Sequence, residues 1–200
     1  MSYFLYEPVG PGRHRQPLPE PRPAEPGEWP KLEAALAVVN RDVTATLPGQ
    51  DALILMAEPP QQSPSTGGTG GVDRGRVYVA MPDGRWHGNQ VNAHDPEEGD
   101  PLEPDDADTV LTVVADAAQE TVMELLWQVW PVCWVHKTGV HVRPAGTAAD
   151  WYPGATDAEG PPVWWCRGGR EGNGHDVAPV GELAASLPGK ERRALRRSER

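Results

Sequence analysis

Two cysteines and two histidines near the end of the chain have residue types and spacings that could bind a metal ion. Two residues separate Cys133 from His136, eight separate Cys166 from His175, and 29 residues lie between the two pairs. Zinc takes four nitrogen or sulfur ligands in a tetrahedron, and two ligands spaced by two residues fit one tight turn. The pattern therefore indicates a zinc site in which both cysteines are thiolates.

The spacing leaves a second interpretation of these residues open. The gap of eight residues in the second pair is irregular, and His141 could substitute for His136 or His175 as a ligand. An unligated cysteine behaves as a small hydrophobic residue, so Cys133 and Cys166 could instead be half-buried in a tryptophan-rich core. Pattern alone favours unligated cysteines, and we expect no cofactor, with zinc as the alternative.

A cysteine nucleophile with a histidine base is a third interpretation. Cys133 with His136, or Cys166 with His175, could form such a pair, but the base also needs a third group to orient it. No orienting residue or oxyanion loop is evident, and the GxSxG, HExxH, Walker and GxGxxG motifs are absent. We expect no enzymatic activity and keep a small Cys/His hydrolase as the least favoured hypothesis.

The charge of the chain restricts its partners. The formal net charge is −11 and the isoelectric point is near 4.9. Nucleic acids and anionic membranes both require clustered lysine and arginine, so neither is expected as a partner. The composition favours a non-enzymatic accessory protein that binds another protein through an acidic body and a tryptophan-rich surface. An acidic body suits a basic partner, as in an immunity protein. Tryptophan is common at binding hot spots, and the expected contacts are Trp127, Trp130, Trp134, Trp164 and Trp165.

The N-terminal sequence, the apolar runs and the cysteine content bear on where in the cell the protein is found. The first residues lack a basic segment followed by an apolar one, which argues against a signal peptide. No apolar run reaches the length of a membrane span. Two cysteines do not make a disulfide framework, so a cytoplasmic location is expected.

Periodicity predicts the elements of the first half. A helix should begin at Pro30 and end before Pro48, because Leu32, Leu36 and Val39 fall on one face. Residues 51–59 should contain a short strand. Two further strands should follow as a hairpin, at 77–81 and 85–92, with a turn at 82–84.

The second half should begin with a strand at 109–115, since the run TVLTVVA is continuous and β-branched. Asp116 should then cap a helix, with Gln119 completing a capping box, and Pro131 should end that helix. A β module should follow and pack on it.

The predicted fold class is α+β: a small mixed sheet, two main helices and a tryptophan-rich C-terminal β module that resembles a degenerate zinc ribbon. The glycine- and proline-rich composition predicts long irregular segments. The expected organisation is a disordered proline-rich arm at 1–28, a body at 29–130 with flexible loops at 60–75 and 94–108, a β module at 131–187, and a basic tail at 188–200.

The region from Val113 to Leu183 resembles part of a group of uncharacterised actinobacterial proteins. That group shares a helix ending in LWxxWPxCxxH, a strand, then VWxC and VAPxGxL. The matching residues here are Leu126, Trp127, Trp130, Pro131, Cys133, His136, His141, Val142, Arg143, Pro144, Val163, Trp164, Cys166, Val177, Ala178, Pro179, Gly181 and Leu183. The resemblance covers about a third of the chain and implies a fold pattern without an activity. The GGREGNGHD bend departs from it and puts His175 in doubt as a shared ligand.

Overall fold

The α+β class is confirmed by a computed structural model, which describes residues 20–60, 75–92, 101–147, 160–169 and 172–198. Its strands form two separate antiparallel sheets, ordered β1-β2-β3 and β4-β5-β6. The predicted mixed pairing of the first sheet is wrong, because all its strand pairs are antiparallel. The strands of the C-terminal region form a sheet of their own. In chain order the elements are β1 (Arg22–Pro23), α1 (Pro30–Thr46), β2 (Ile54–Glu58), β3 (Arg76–Ala80), α2 (Ala107–Leu126), β4 (His141–Pro144), β5 (Pro162–Cys166), β6 (His175–Pro179), α3 (Leu183–Ser186) and α4 (Gly189–Ser198).

Helix α1 follows its predicted course. Proline occupies the first turn, and Leu32, Leu36 and Val39 are buried on one face. The helix ends at Thr46, two residues before Pro48. Both ends are thus set locally, by a proline that fits a first turn and by a second proline that cannot continue a helix.

The first sheet confirms the strand at 51–59 and the strand at 77–81, which appear as β2 and β3. The predicted return strand at 85–92 is wrong, because only an isolated bridge from Ala80 to Trp86 forms. Near the other end of β3, the backbone N–H of Val77 donates to the side-chain oxygen of Asn92 at 2.9 Å. The N–H of Val91 also donates to the carbonyl of Val77 at 2.7 Å, so one backbone and one side-chain hydrogen bond hold this segment beside β3 without a regular ladder.

Residues 20–28 are ordered against this sheet. Strand β1 pairs with Met56 and Ala57, and the N–H of Ala24 donates to the carbonyl of Leu55 at 2.9 Å. The prediction of disorder is therefore wrong for residues 20–28, because backbone hydrogen bonds join this segment to strand β2. Residues 1–19 lie outside the described residues, as do 61–74 and 94–100 of the predicted flexible loops.

Helix α2 replaces the predicted strand at 109–115. It begins after Asp106, whose carboxylate accepts a hydrogen bond from the N–H of Thr109 at 2.7 Å. The β-branched run is helical because Val110, Val114 and Val122 repeat at helical spacing and are buried, and such packing overrides local propensity. The predicted loop at 94–108 also extends too far, because helix α2 already begins at Ala107.

The predicted cap of this helix is also wrong. Asp116 and Gln119 lie inside α2 and do not begin it. The helix ends at Leu126, before Pro131, and Trp127 follows with a left-handed φ of 53°. The chain therefore leaves the helix four residues earlier than the proline alone suggested.

One buried cluster joins the two halves. It runs from Trp29 in the N-terminal part to Leu183, and it includes residues of both helices and of the second sheet. The domain boundary predicted at residue 130 is thus not a boundary of the core.

The predicted basic tail at 188–200 contains helix α4. None of the helices in the described residues is long and apolar enough to cross a membrane, and the cytoplasmic location stays a prediction.

Candidate metal centre

A tight turn places the first pair of ligands side by side. Residues 131–140, here called the knuckle hairpin, are held by a bridge between Val132 and Gly139. At its end the N–H of Lys137 donates to the carbonyl of Cys133 at 2.7 Å, and Cys133 N–H donates to Thr138 at 2.8 Å. Lys137 closes the turn with a left-handed φ of 57°. This geometry directs Cys133 and His136 to the same side.

Strand pairing brings the second pair of ligands together. Cys166 is the last residue of β5 and His175 is the first residue of β6. The antiparallel register sets these two residues directly opposite each other. The irregular gap of eight residues is therefore the loop of a β-hairpin.

The ligand atoms of the two pairs converge. The Sγ atom of Cys133 lies 3.7 Å from Nδ1 of His136 and 3.7 Å from Nε2 of His175. The Sγ atom of Cys166 lies 3.4 Å from the same Nδ1 of His136. Zinc bonds of about 2.3 Å to sulfur and 2.0 Å to nitrogen, at tetrahedral angles, separate the sulfur and nitrogen atoms by about 3.5 Å. The observed separations match that value.

The three residues Cys133, His136 and His175 form a group that could hold a metal ion, with ligand atoms within 4.8 Å of one another. Cys166 adjoins this group through its contact with His136. The substitute ligand His141 lies outside the group: it is exposed on β4. Neither cysteine forms a disulfide, and both are buried.

The surroundings of the thiols bear on their charge. Burial raises the pKa of the Cys133 thiol, and the neighbouring Cys166 thiol acts in the same direction. Hydrogen bonds from the backbone of His136 and Val135 oppose this rise. Cys166 likewise accepts a hydrogen bond from the N–H of Gly168 at 3.3 Å. The N–H groups of Val135 and His136 favour the thiolate of Cys133, and a bound cation would supply the charge compensation that burial otherwise denies it.

Gln119 fastens the knuckle hairpin to α2. Its buried Nε2 donates to the carbonyl of Trp130 at 3.0 Å and to that of Val140 at 2.5 Å. One amide thus holds both ends of the hairpin that bears Cys133 and His136. The sequence pattern singled out Gln119 for a capping role and missed this one.

Asp42 is a second supporting residue, and sequence reasoning missed it. Its carboxylate accepts hydrogen bonds from the indole of Trp164 and from the backbone of Gly181 and Leu183. Burial raises the pKa of Asp42, against the effect of these hydrogen bonds. The signal that could have found it is its place next to Val43 on the apolar face of α1, where an aspartate needs partners.

The tryptophans divide into buried and exposed residues. Trp130 and Trp164 are fully buried and meet edge to face at 5.6 Å, and Trp165 is buried beneath Arg143. The prediction that these three tryptophans contact a partner is therefore wrong, because their side chains are buried in the protein interior. Trp134 is half-buried, with the Lys137 ammonium 4.9 Å from its ring centroid. Only Trp127 of the predicted contacts is highly exposed.

Comparison with known protein families, with curated proteins and with solved structures finds no match to this chain. The resemblance to actinobacterial proteins stays a prediction.

Proposed function

We propose that this protein is a non-enzymatic binding protein whose C-terminal region is stabilised by one structural zinc ion. The proposed ligands are Cys133, His136, Cys166 and His175. The observation that carries the proposal is the group of Cys133, His136 and His175, whose ligand atoms lie within 4.8 Å of one another. Cys166 is proposed as the fourth ligand because its Sγ lies 3.4 Å from Nδ1 of His136. Four protein ligands fill a zinc tetrahedron and leave no position for a substrate, which is the arrangement of structural rather than catalytic sites.

Zinc in this position would join two separate pieces of chain. Cys133 and His136 belong to the knuckle hairpin, whereas Cys166 and His175 belong to the β5–β6 pair. A metal held between two short hairpins is the arrangement of a zinc ribbon, and it would contribute binding free energy directly to folding.

Metal analysis of the purified full chain tests this proposal. We expect about one zinc per chain by elemental analysis, with loss of most of it in Cys133→Ser and in Cys166→Ser. His141→Asn is the matched control and should keep the metal, because His141 lies outside the group. A metal-free wild-type protein whose melting temperature ignores both zinc and a chelator would refute the proposal.

A second candidate function is the binding of a basic protein by the acidic body. A cleft of about 430 Å³ between α1 and the start of α2 favours it. Its lining includes apolar Val38 and Leu111 together with the exposed Asp108, which suits an apolar anchor beside a cation. Asp105 also lines the cleft, but Lys31 of the same lining pairs with it at 2.8 Å. An immunity-type role for this face predicts affinity that falls as salt is added. Affinity for a candidate basic partner that does not change with salt would count against it.

The hydrolase hypothesis has less support from the same contacts. Burial raises the pKa of the Cys133 thiol, whereas a nucleophilic cysteine is typically one whose pKa is lowered. Labelling with iodoacetamide at neutral pH separates the two proposals. A zinc protein should have two slow thiols, whereas a hydrolase should have one that reacts unusually fast.

A further inference from the structure

The exposed apolar side chains of the described structure are concentrated in one short segment. Its three large exposed hydrophobic residues are Trp127, Val129 and Val135, which are 89%, 54% and 75% exposed. All three lie within nine consecutive residues. Isolated exposed hydrophobic residues are ordinary on protein surfaces, but a group confined to one segment is typical of an interaction site.

This segment adjoins and partly contains the proposed zinc ligands. Val135 lies at the tip of the knuckle hairpin, between Cys133 and His136. Val129 packs against Gly139 of the same hairpin, where its Cγ1 would lie 3.0 Å from a Cβ atom. Trp127 ends α2 immediately before the hairpin. We call these three exposed residues the knuckle face.

The backbone at Trp127 is unfavourable for a tryptophan. Its φ of 53° is left-handed, a conformation that favours glycine at the end of a helix. Because the indole is almost fully exposed, burial of the side chain does not offset this strain. A strained residue that gains nothing from packing is a candidate for a role in binding.

The charge of the segment differs from that of the whole protein. Residues 125–149 contain no aspartate or glutamate, although the chain carries 29 of them. Lys137 is exposed beside the tip, and so is Arg167 in the turn after Cys166. That turn abuts the hairpin, since a Cβ atom on Gly169 would lie 3.7 Å from the His136 ring. The segment from Trp127 to Val135 therefore combines exposed apolar side chains with cationic neighbours, and the acidic residue nearest to it in sequence is Glu124, one helical turn before Trp127.

We propose that the knuckle face binds an acidic segment of a partner protein that also carries aromatic or aliphatic side chains. Trp127 and Val135 would contact the apolar side chains, while Lys137 and Arg167 would attract the carboxylates. This inference rests on the proposed function, because Val135 lies in the loop that the zinc ligands would fix.

A random peptide library displayed on phage and selected on the zinc-loaded full chain tests the inference. We expect enrichment of peptides that combine glutamate or aspartate with aromatic or aliphatic residues. A synthetic peptide of the enriched sequence should bind the Trp127→Gly variant with an affinity at least about tenfold lower than its affinity for the wild type. A loss of that size is typical of a hot-spot residue. Arg85→Ala is the control: this exposed residue pairs with Asp83 in a different turn, and its loss should leave binding unchanged.

Each other outcome overturns the inference. Enrichment of basic peptides, no enrichment, or binding that ignores Trp127→Gly would show that the knuckle face has no such partner. Self-association in light scattering that requires Trp127 would make a second copy the occupant instead. Metal content is measured on the same samples, so a zinc-bound protein without peptide binding refutes this inference alone, whereas a metal-free protein refutes the proposed zinc site.

Discussion

The indole Nε1 of Trp164 donates a 2.7 Å hydrogen bond to the carboxylate of Asp42, which lies 122 positions earlier in the chain. The same carboxylate accepts hydrogen bonds from the N–H groups of Gly181 at 2.6 Å and Leu183 at 2.8 Å. One side chain of α1 therefore holds strand β5 and the start of α3, and through them the C-terminal third of the protein.

Replacing Asp42 by alanine should destabilise the protein strongly. The change leaves three donors without their acceptor, and each buried unsatisfied group costs about 1–3 kcal/mol. We expect a loss of about 3 kcal/mol or more in the free energy of unfolding, measured with urea. Asp51→Ala is the control at an exposed aspartate. A loss below about 1 kcal/mol for Asp42→Ala would mean that water replaces the carboxylate.

Stability should also depend on pH through Asp42. Burial raises its pKa above the ordinary value of 3.8, so the native state binds this proton more tightly than the unfolded chain does. The contribution of Asp42 to stability is therefore greatest below that value, falls as pH rises through the native pKa, and is constant above it.

Asp42→Asn cannot titrate and provides the reference for this measurement. The free energy of unfolding of the wild type, minus that of the variant, should decrease as pH rises from acid to neutral. A difference that increases over this range would mean that the three hydrogen bonds outweigh burial and lower the pKa instead.

Gln119→Leu should loosen the knuckle hairpin. The variant removes the donor for the carbonyls of Trp130 and Val140, and we expect a loss of about 1–3 kcal/mol in the free energy of unfolding. Faster transfer of zinc to a chelator should accompany it. Gln128→Leu, at an exposed glutamine, should change neither quantity. Equal effects of the two substitutions would contradict the bracing role of Gln119.

Trp127→Gly should leave the fold intact or stabilise it. Glycine adopts a left-handed φ without strain, and the exposed indole contributes little burial. We expect a melting temperature equal to or above that of the wild type, and above that of Trp127→Ala, which keeps the strain. A marked drop for the glycine variant would show that the indole supports the structure rather than a partner.

Local signals were sufficient for some elements and misleading for others. Helix α1 is predictable because Pro30, Pro48 and one apolar face fix it within its own sequence. The run at 109–115 looked like a strand because β-branched residues favour strands, yet packing against α1 makes it helical. Nothing local reveals that Asp42 meets Trp164.

The proposed zinc ligands likewise divide into a pair that local sequence reveals and a pair that it does not. Cys133 and His136 are recognisable because one turn joins them. The gap between Cys166 and His175 looked irregular and favoured unligated cysteines, because the sequence does not show that these two residues face each other across a strand pair. Likewise, the count of tryptophans did not separate the buried Trp130 from the exposed Trp127.

X-ray absorption at the zinc edge of the purified full chain tests the central claim most directly. It reports the atoms bound to the metal and their distances. Binding by Cys133, His136, Cys166 and His175 predicts two sulfur ligands at about 2.3 Å and two nitrogen ligands at about 2.0–2.1 Å. A metal bound by oxygen and nitrogen alone, or a protein that retains no zinc, would contradict it.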